Sequence, residues 1–169
     1  MATSFKDIYV TGLTNAHALE TQAIQLLQRQ VERLENYPAM AERIRQHIEE
    51  SRRQASRLEE ILQRLGTSHS TLKDIGAGFL GNMAALAHTP AQDEVVKNTF
   101  ANFAFEHYEI ATYRALLEMA QAAGDGSAPT ALKESLNEEI RMAEWIDQHL
   151  PETIRTYMQL TASGQKAGV

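Results

Sequence analysis

Four long stretches of this chain repeat apolar residues at alternating steps of three and four, and punctuation separates them. In the first, Leu13, Ile24, Leu27, Val31 and Leu34 share a face, and Asn36-Tyr37-Pro38 breaks the pattern. The second carries Met40, Ile44, Ile48, Leu58, Ile61 and Leu65 and stops at Gly66, a residue suited to the left-handed turn that closes a helix. The third holds Val96, Phe100, Phe103, Ile110, Tyr113 and Leu117 before the turn Gly124-Asp125-Gly126-Ser127. The fourth holds Leu132, Leu136, Ile140, Ala143, Ile146 and Leu150. Spacing of this kind puts one face of a helix in a core. No alternating run of β-branched residues accompanies it, so the chain reads as all-α, a four-helix bundle.

The predicted core helices cover about 4–35, 38–65, 90–123 and 129–150 of one domain spanning 1–169. Ser4 and Asp7 resemble a capping box, and Thr89-Pro90-Ala91-Gln92 places a cap, a first-turn proline and a third-position Gln. Pro151 is expected to open a short C-terminal helix, 151–160, followed by a frayed tail, 161–169. The connections between helices one and two, and between three and four, are short, so each pair forms an antiparallel hairpin. Between the hairpins lie residues 67–89, Gly-interrupted at Gly76, Gly78 and Gly81, with a loosely packed helix expected over Leu72–Ala87. A linker of that length can run the height of a bundle, which is the ferritin-like connection.

Composition removes several classes of function. The formal net charge of −6, without a Lys/Arg block, argues against an electrostatic nucleic-acid binder. With no cysteine there is no disulfide, thiolate metal site, iron–sulfur cluster or cysteine nucleophile. No basic-then-apolar leader stands at the N-terminus, and no apolar run is long enough for a bilayer, so a cytoplasmic protein is expected.

Against that background, each apolar seam is interrupted near mid-helix by carboxylates: Glu20, Glu50, Glu109 and Glu139. A buried carboxylate costs several kcal/mol unless something positive compensates it. Glu20 and Glu109 are separated by 89 residues, as are Glu50 and Glu139, which suggests two related hairpins with equivalent acidic positions. Two iron or manganese ions take carboxylate and imidazole ligands, and two dications offset about four buried carboxylates. The usual bundle site combines two single Glu residues with two Glu-x-x-His pairs. Here the order is reversed, His17/Glu20 and His47/Glu50, with Glu106/Glu109 in helix three and Met142 three residues after Glu139. Residues three apart share a helical face in either order. The expected metal ligands are Glu20, His47, Glu50, Glu106, Glu109 and Glu139, with His17 and Glu144 left open. Tyr113, one turn beyond Glu109, is placed to hydrogen-bond a ligand or a bound oxygen. Glu49, Glu59, Glu60, Glu138, Arg52, Arg53 and Arg57 read as a solvated charged face, and His69, His88 and His149 as ordinary helical or surface histidines.

His47-Ile48-Glu49-Glu50, Arg57-Leu58-Glu59, the stretch Glu106-His107-Tyr108-Glu109-Ile110-Ala111 with Tyr113, and Glu138-Glu139 together resemble the YciE/YciF-type ferritin-like stress proteins. The likeness covers nearly the whole chain, and the helix-three stretch is its most specific part. It implies a ferritin-like bundle, a homodimer and a rubrerythrin-like dinuclear metal site, with a ferroxidase or peroxide-linked role. The cysteine-rich electron-transfer domain of true rubrerythrins is absent. The expected cofactors are therefore two Fe ions, with Mn as the alternative. The expected small substrates are Fe(II) and oxygen or peroxide. The other readings are a manganese-catalase-like dismutase and a non-enzymatic helical dimer whose glutamates face water or a partner.

Overall fold

The computed structural model describes residues 3–67 and 92–168. They form four helices: α1 (Phe5–Val31), α2 (Pro38–Arg64), α3 (Glu94–Ala122) and α4 (Pro129–Ala162). The predicted crossover helix, its three glycines, the Thr89-Pro90-Ala91 start signal, His69 and His88 lie outside the described residues. No strand occurs among the described residues, and none of their helices is long and apolar enough to cross a membrane.

Local chemistry sets the helix ends. At the start of α1, Ser4 Oγ accepts from the Asp7 N–H at 3.1 Å and the Asp7 carboxylate accepts from the Ser4 N–H at 3.1 Å, a reciprocal box in which Asp replaces the usual Glu. Gly66 (φ +90°) and Gly124 (φ +73°) supply the left-handed residues after α2 and α3. Helix α1 stops at Val31, short of the expected Glu35, and a turn leads into Pro38. Helix α3 begins at Glu94, with Gln92 and Asp93 in a turn, and its first bond runs from the Lys97 N–H to the Asp93 carbonyl.

Pro151 does not open a separate helix; it lies inside α4. Proline removes one N–H from the ladder, but Pro151 and Asp147 are exposed, so water can serve the carbonyl left over. Buried Ile146 and Thr153 anchor the helix on either side. The end of the chain packs back in place of fraying. Tyr37 Oη donates to the Ala167 carbonyl and Asn36 Nδ2 to the Lys166 carbonyl, both at 2.7 Å.

Cross-helix partners fix the directions. Arg33, just past α1, meets Glu94 at the start of α3, Gln30 meets Asn102, and Gly12 faces Leu116 and Met119. Thus α1 and α3 run antiparallel, and Gly12 lets them approach so closely that a Cβ there would sit 2.9 Å from Met119 Sδ. Gln54 with Glu138 and Arg57 with Glu134 make α2 and α4 antiparallel too. Helix α2 ends beside Asp125, which Arg64 binds at 2.9 Å, whereas α3 starts at the opposite end beside Arg33. Helix α2 therefore finishes at the end of the bundle opposite the one where α3 starts, and the described helices form two antiparallel hairpins.

Two apolar clusters fill the ends of this bundle. One contains Tyr9, Leu13, Leu58, Leu62, Leu116 and Leu132; the other contains Leu27, Met40, Ile44, Val95, Met142 and Ile146. Between them the bundle's centre is polar.

Candidate metal centre

A four–three series runs through the buried positions of each helix. In α1 they are Tyr9, Leu13, Ala16, Glu20, Ala23 and Leu27; in α2, Ile44, His47, Ser51, Gln54, Leu58 and Ile61. In α3 the series contains Val95, Thr99, Glu106, Glu109, Tyr113, Leu116 and Ala120, and in α4 Leu132, Ser135, Glu139, Met142 and Ile146. Such a seam faces the bundle axis. Near mid-helix these seams turn polar together, and Glu20, His47, Ser51, Gln54, Glu106, Glu109 and Glu139 are all at most 2 % exposed.

His47, Glu106, Glu109 and Glu139 each offer a ligand atom within 4.8 Å of the others. His47 Nε2 lies 3.2 Å from Glu106 Oε2 and 3.6 Å from Glu139 Oε2. Both are ion-pair separations without hydrogen-bond alignment, so Nε2 has no hydrogen-bond partner. Glu20 approaches from α1, its Oε1 accepting from the Tyr113 hydroxyl at 2.6 Å. Six ligand-type atoms of these residues are buried without a hydrogen-bond partner: Glu20 Oε2, His47 Nε2, Glu106 Oε2, both Glu109 oxygens and Glu139 Oε2. Native interiors rarely leave so many polar atoms unsatisfied together. Their types, five carboxylate oxygens and one imidazole nitrogen, are those that hard or borderline divalent ions take. The residues fit a metal.

Glu50 stands apart from the converging atoms. It is one step off the seam, where its Oε2 accepts from Arg43 at 2.9 Å and lies 3.0 Å from His47 Nδ1. Burial disfavours its charge, but the bonds from His47 and Arg43 outweigh that and bring its pKa down to about 2. His17 also leaves the layer: the seam passes through Ala16, and His17 Nε2 meets Glu59 at 3.2 Å. Glu144 is exposed.

Part of the supposed solvated face is structural. Glu138 is buried, and Arg57 donates to it at 2.6 Å and to Ser135 Oγ at 3.2 Å. Gln54 Nε2 then bridges Glu138 Oε2, at 3.0 Å, and Glu139 Oε1, at 2.5 Å. The four–three spacing from Ile44 to Ile61 already pointed to Ser51 and Gln54; nothing in the pattern marked Glu138, since it is adjacent to a seam position.

Burial dominates the electrostatics of the layer. It pushes Glu20 up to about 8, despite the Tyr113 hydrogen bond that stabilises the carboxylate. Glu109 is held well above the ordinary carboxylate range by burial and then by Glu20, Glu139 and Glu106; Glu139 is raised by burial and Glu106, with His47 opposing. His47 loses from burial, yet Glu106, Glu50 and Glu139 more than offset this and hold it well above its usual value. Without metal, therefore, protons supply the positive charge that this layer lacks.

The comparisons agree with this architecture. The chain is similar to a protein of Xanthomonas campestris pv. campestris whose crystal structure is known, with 30% identity, a TM-score of 0.79, and coverage of 94% of this chain and 99% of that one. It also shares its fold with YcfI of Rhodopseudomonas palustris, provisionally described as a structural protein, at 22% identity and a TM-score of 0.63 over 85% of this chain and 93% of that one. Residues 4–159 match the family described as a domain of unknown function, and the chain belongs to that family, DUF892.

Proposed function

We propose that this chain is a ferritin-like protein with a dinuclear iron or manganese centre that couples Fe(II) oxidation to the reduction of oxygen or peroxide. One observation carries the reading: the six unpartnered ligand-type atoms buried in a single layer. The resemblance to YciE/YciF-type stress proteins supports it and suggests a homodimer.

The residues divide the work by their geometry. Glu109 has both oxygens free, and Glu20, Glu106 and Glu139 each present one free oxygen, so these four would supply the carboxylate ligands. His47 contributes Nε2. Glu50, itself fixed by Arg43, accepts from Nδ1–H and so keeps the lone pair on the inward nitrogen, the role carboxylates commonly play behind metal-binding histidines. Tyr113 orients Glu20 and Gln54 orients Glu139. Four carboxylates match the charge of two dications, whose binding would release the protons that the layer holds without metal. A bound pair of iron or manganese ions would supply redox chemistry toward oxygen or peroxide.

The test is Fe(II) oxidation followed optically in the presence of oxygen or peroxide, on protein purified without chelator. Turnover that disappears in Glu109→Gln is expected. A folded protein that consumes neither reactant after exposure to Fe(II) and Mn(II) overturns the proposal.

A further inference from the structure

A groove with about 120 Å³ open to water runs between α1 and α3 and ends on Glu106. That space holds several water molecules. Its walls are apolar near the layer, with Ala23, Leu27 and Phe105, and become polar outward. Across it Gln30 and Asn102 exchange two amide hydrogen bonds, Gln30 Nε2 to Asn102 Oδ1 at 3.2 Å and Asn102 Nδ2 to Gln30 Oε1 at 2.8 Å. At the rim are Arg29, Arg33 and Glu94, and Arg33 already pairs with Glu94 at 2.5 Å.

We propose that this groove admits a small uncharged oxidant of the hydrogen peroxide class to the carboxylate layer, with the Gln30–Asn102 pair as its threshold. The inference rests on the function proposed above and names the reactant that uses this path. Each amide retains an N–H and a lone pair beyond those engaged in the pair, so it can pass a molecule that both donates and accepts. A dication meets the opposite conditions. Arg29 and Arg33 outnumber the one carboxylate at the rim, and the apolar wall beyond would have to strip its hydration. Beyond Asn102, the space lined by Met40, Ile44 and Met142 amounts to about 10 Å³, at the limit for one water.

The chain has no native cysteine, so an introduced thiol reports access in the metal-free protein, independently of any metal chemistry. Ala23→Cys places it on the groove wall; Ala120→Cys places it in the apolar end cluster, equally buried but away from the groove. The thiolate sulfur attacks one peroxide oxygen, the O–O bond breaks, and the departing hydroxide takes a proton to leave a sulfenic acid and water. Dimedone then traps the sulfenic acid for mass spectrometry. Ala23→Cys should be labelled at least roughly tenfold faster than Ala120→Cys, whose reaction waits on opening of the core. Filling the groove with Ala101→Phe, or with Asn98→Phe should the first fail to fold, should remove that advantage. In the metal-binding protein the same filling should leave the rate of Co(II) uptake unchanged. Equal labelling at the two positions, labelling indifferent to both fillings, or Co(II) uptake slowed as much as labelling would overturn the assignment.

Discussion

The α2–α4 side of the polar layer and its α1–α3 side bury carboxylates under opposite conditions. On the first, Arg57 holds Glu138, Arg43 holds Glu50, and Gln54 ties Glu138 to Glu139. On the second, Glu20 has one neutral tyrosine partner and Glu109 has no hydrogen bond at either oxygen. Both sides sit between the same apolar end clusters, so packing does not explain the difference. The first side pairs its outer carboxylates within the protein and leaves open only inward atoms such as His47 Nε2 and Glu139 Oε2. The second is built for a cation that the sequence itself does not supply.

The contrast breaks most visibly where an arginine is removed. Arg57→Ala leaves Glu138 buried with only the more distant Arg53, at 3.9 Å, and should cost about 3 kcal/mol of unfolding free energy, read by urea denaturation with or without metal. Tyr113→Phe on the other side removes a neutral partner from Glu20 and should cost about 1 kcal/mol in the metal-free protein. If the two variants cost the same, the two sides are not different in kind.

Substituting the unpaired carboxylates should do the reverse. In the metal-free protein, Glu20→Gln and Glu109→Gln should be neutral or stabilising, by up to about 1 kcal/mol at pH 8, because each removes a buried acid that resists ionisation. Both should lower the number of ions bound. A large loss of stability in metal-free Glu109→Gln would place that residue in the structural half of the layer.

The pH dependence sharpens the same comparison. Glu20 has its pKa raised to about 8 in the folded protein from an ordinary carboxylate value. Between about pH 4.5 and 8 the folded state therefore holds the extra proton, and metal-free stability should fall as pH rises through that window. His47, also raised, acts in the same direction. Glu50, lowered to about 2, contributes stability that is complete above about pH 4.5 and is lost progressively as pH falls from there to about 2. Thermal melts of metal-free protein from pH 5 to 8 should decline by several degrees, and bound metal should flatten or reverse the slope. A melting temperature that climbs across this range would contradict the assigned protonation.

Much of this was legible in the sequence, for identifiable reasons. The four core helices, their hairpin pairing and the all-α class follow from apolar spacing and punctuation. Glu20, Glu109 and Glu139 were visible because each interrupts a seam. Glu50 reads as a fourth interruption of a seam, with a matching 89-residue offset to Glu139, but the helical phase differs: Ser51 and His47 occupy the seam and Glu50 lies beside it. His17, an open possibility from the spacing, lies one step from the seam residue Ala16. The Arg57–Glu138–Gln54 linkage was illegible, because a charged residue flanking a seam looks the same whether water or a partner across the bundle satisfies it. Pro151 misled because local chemistry disfavours proline in a helix, whereas its exposed position makes the lost bond tolerable.

Metal titration of the chelator-stripped protein tests the central claim most directly, with bound ions counted by elemental analysis after dialysis and the melting temperature followed in parallel. About two Fe(II) or Mn(II) per chain should bind, raising the melting temperature as expected for a ligand that binds only the folded state, and Glu109→Gln should reduce the count. A stripped protein that binds no divalent ion, with a melting temperature indifferent to metal, would contradict the account.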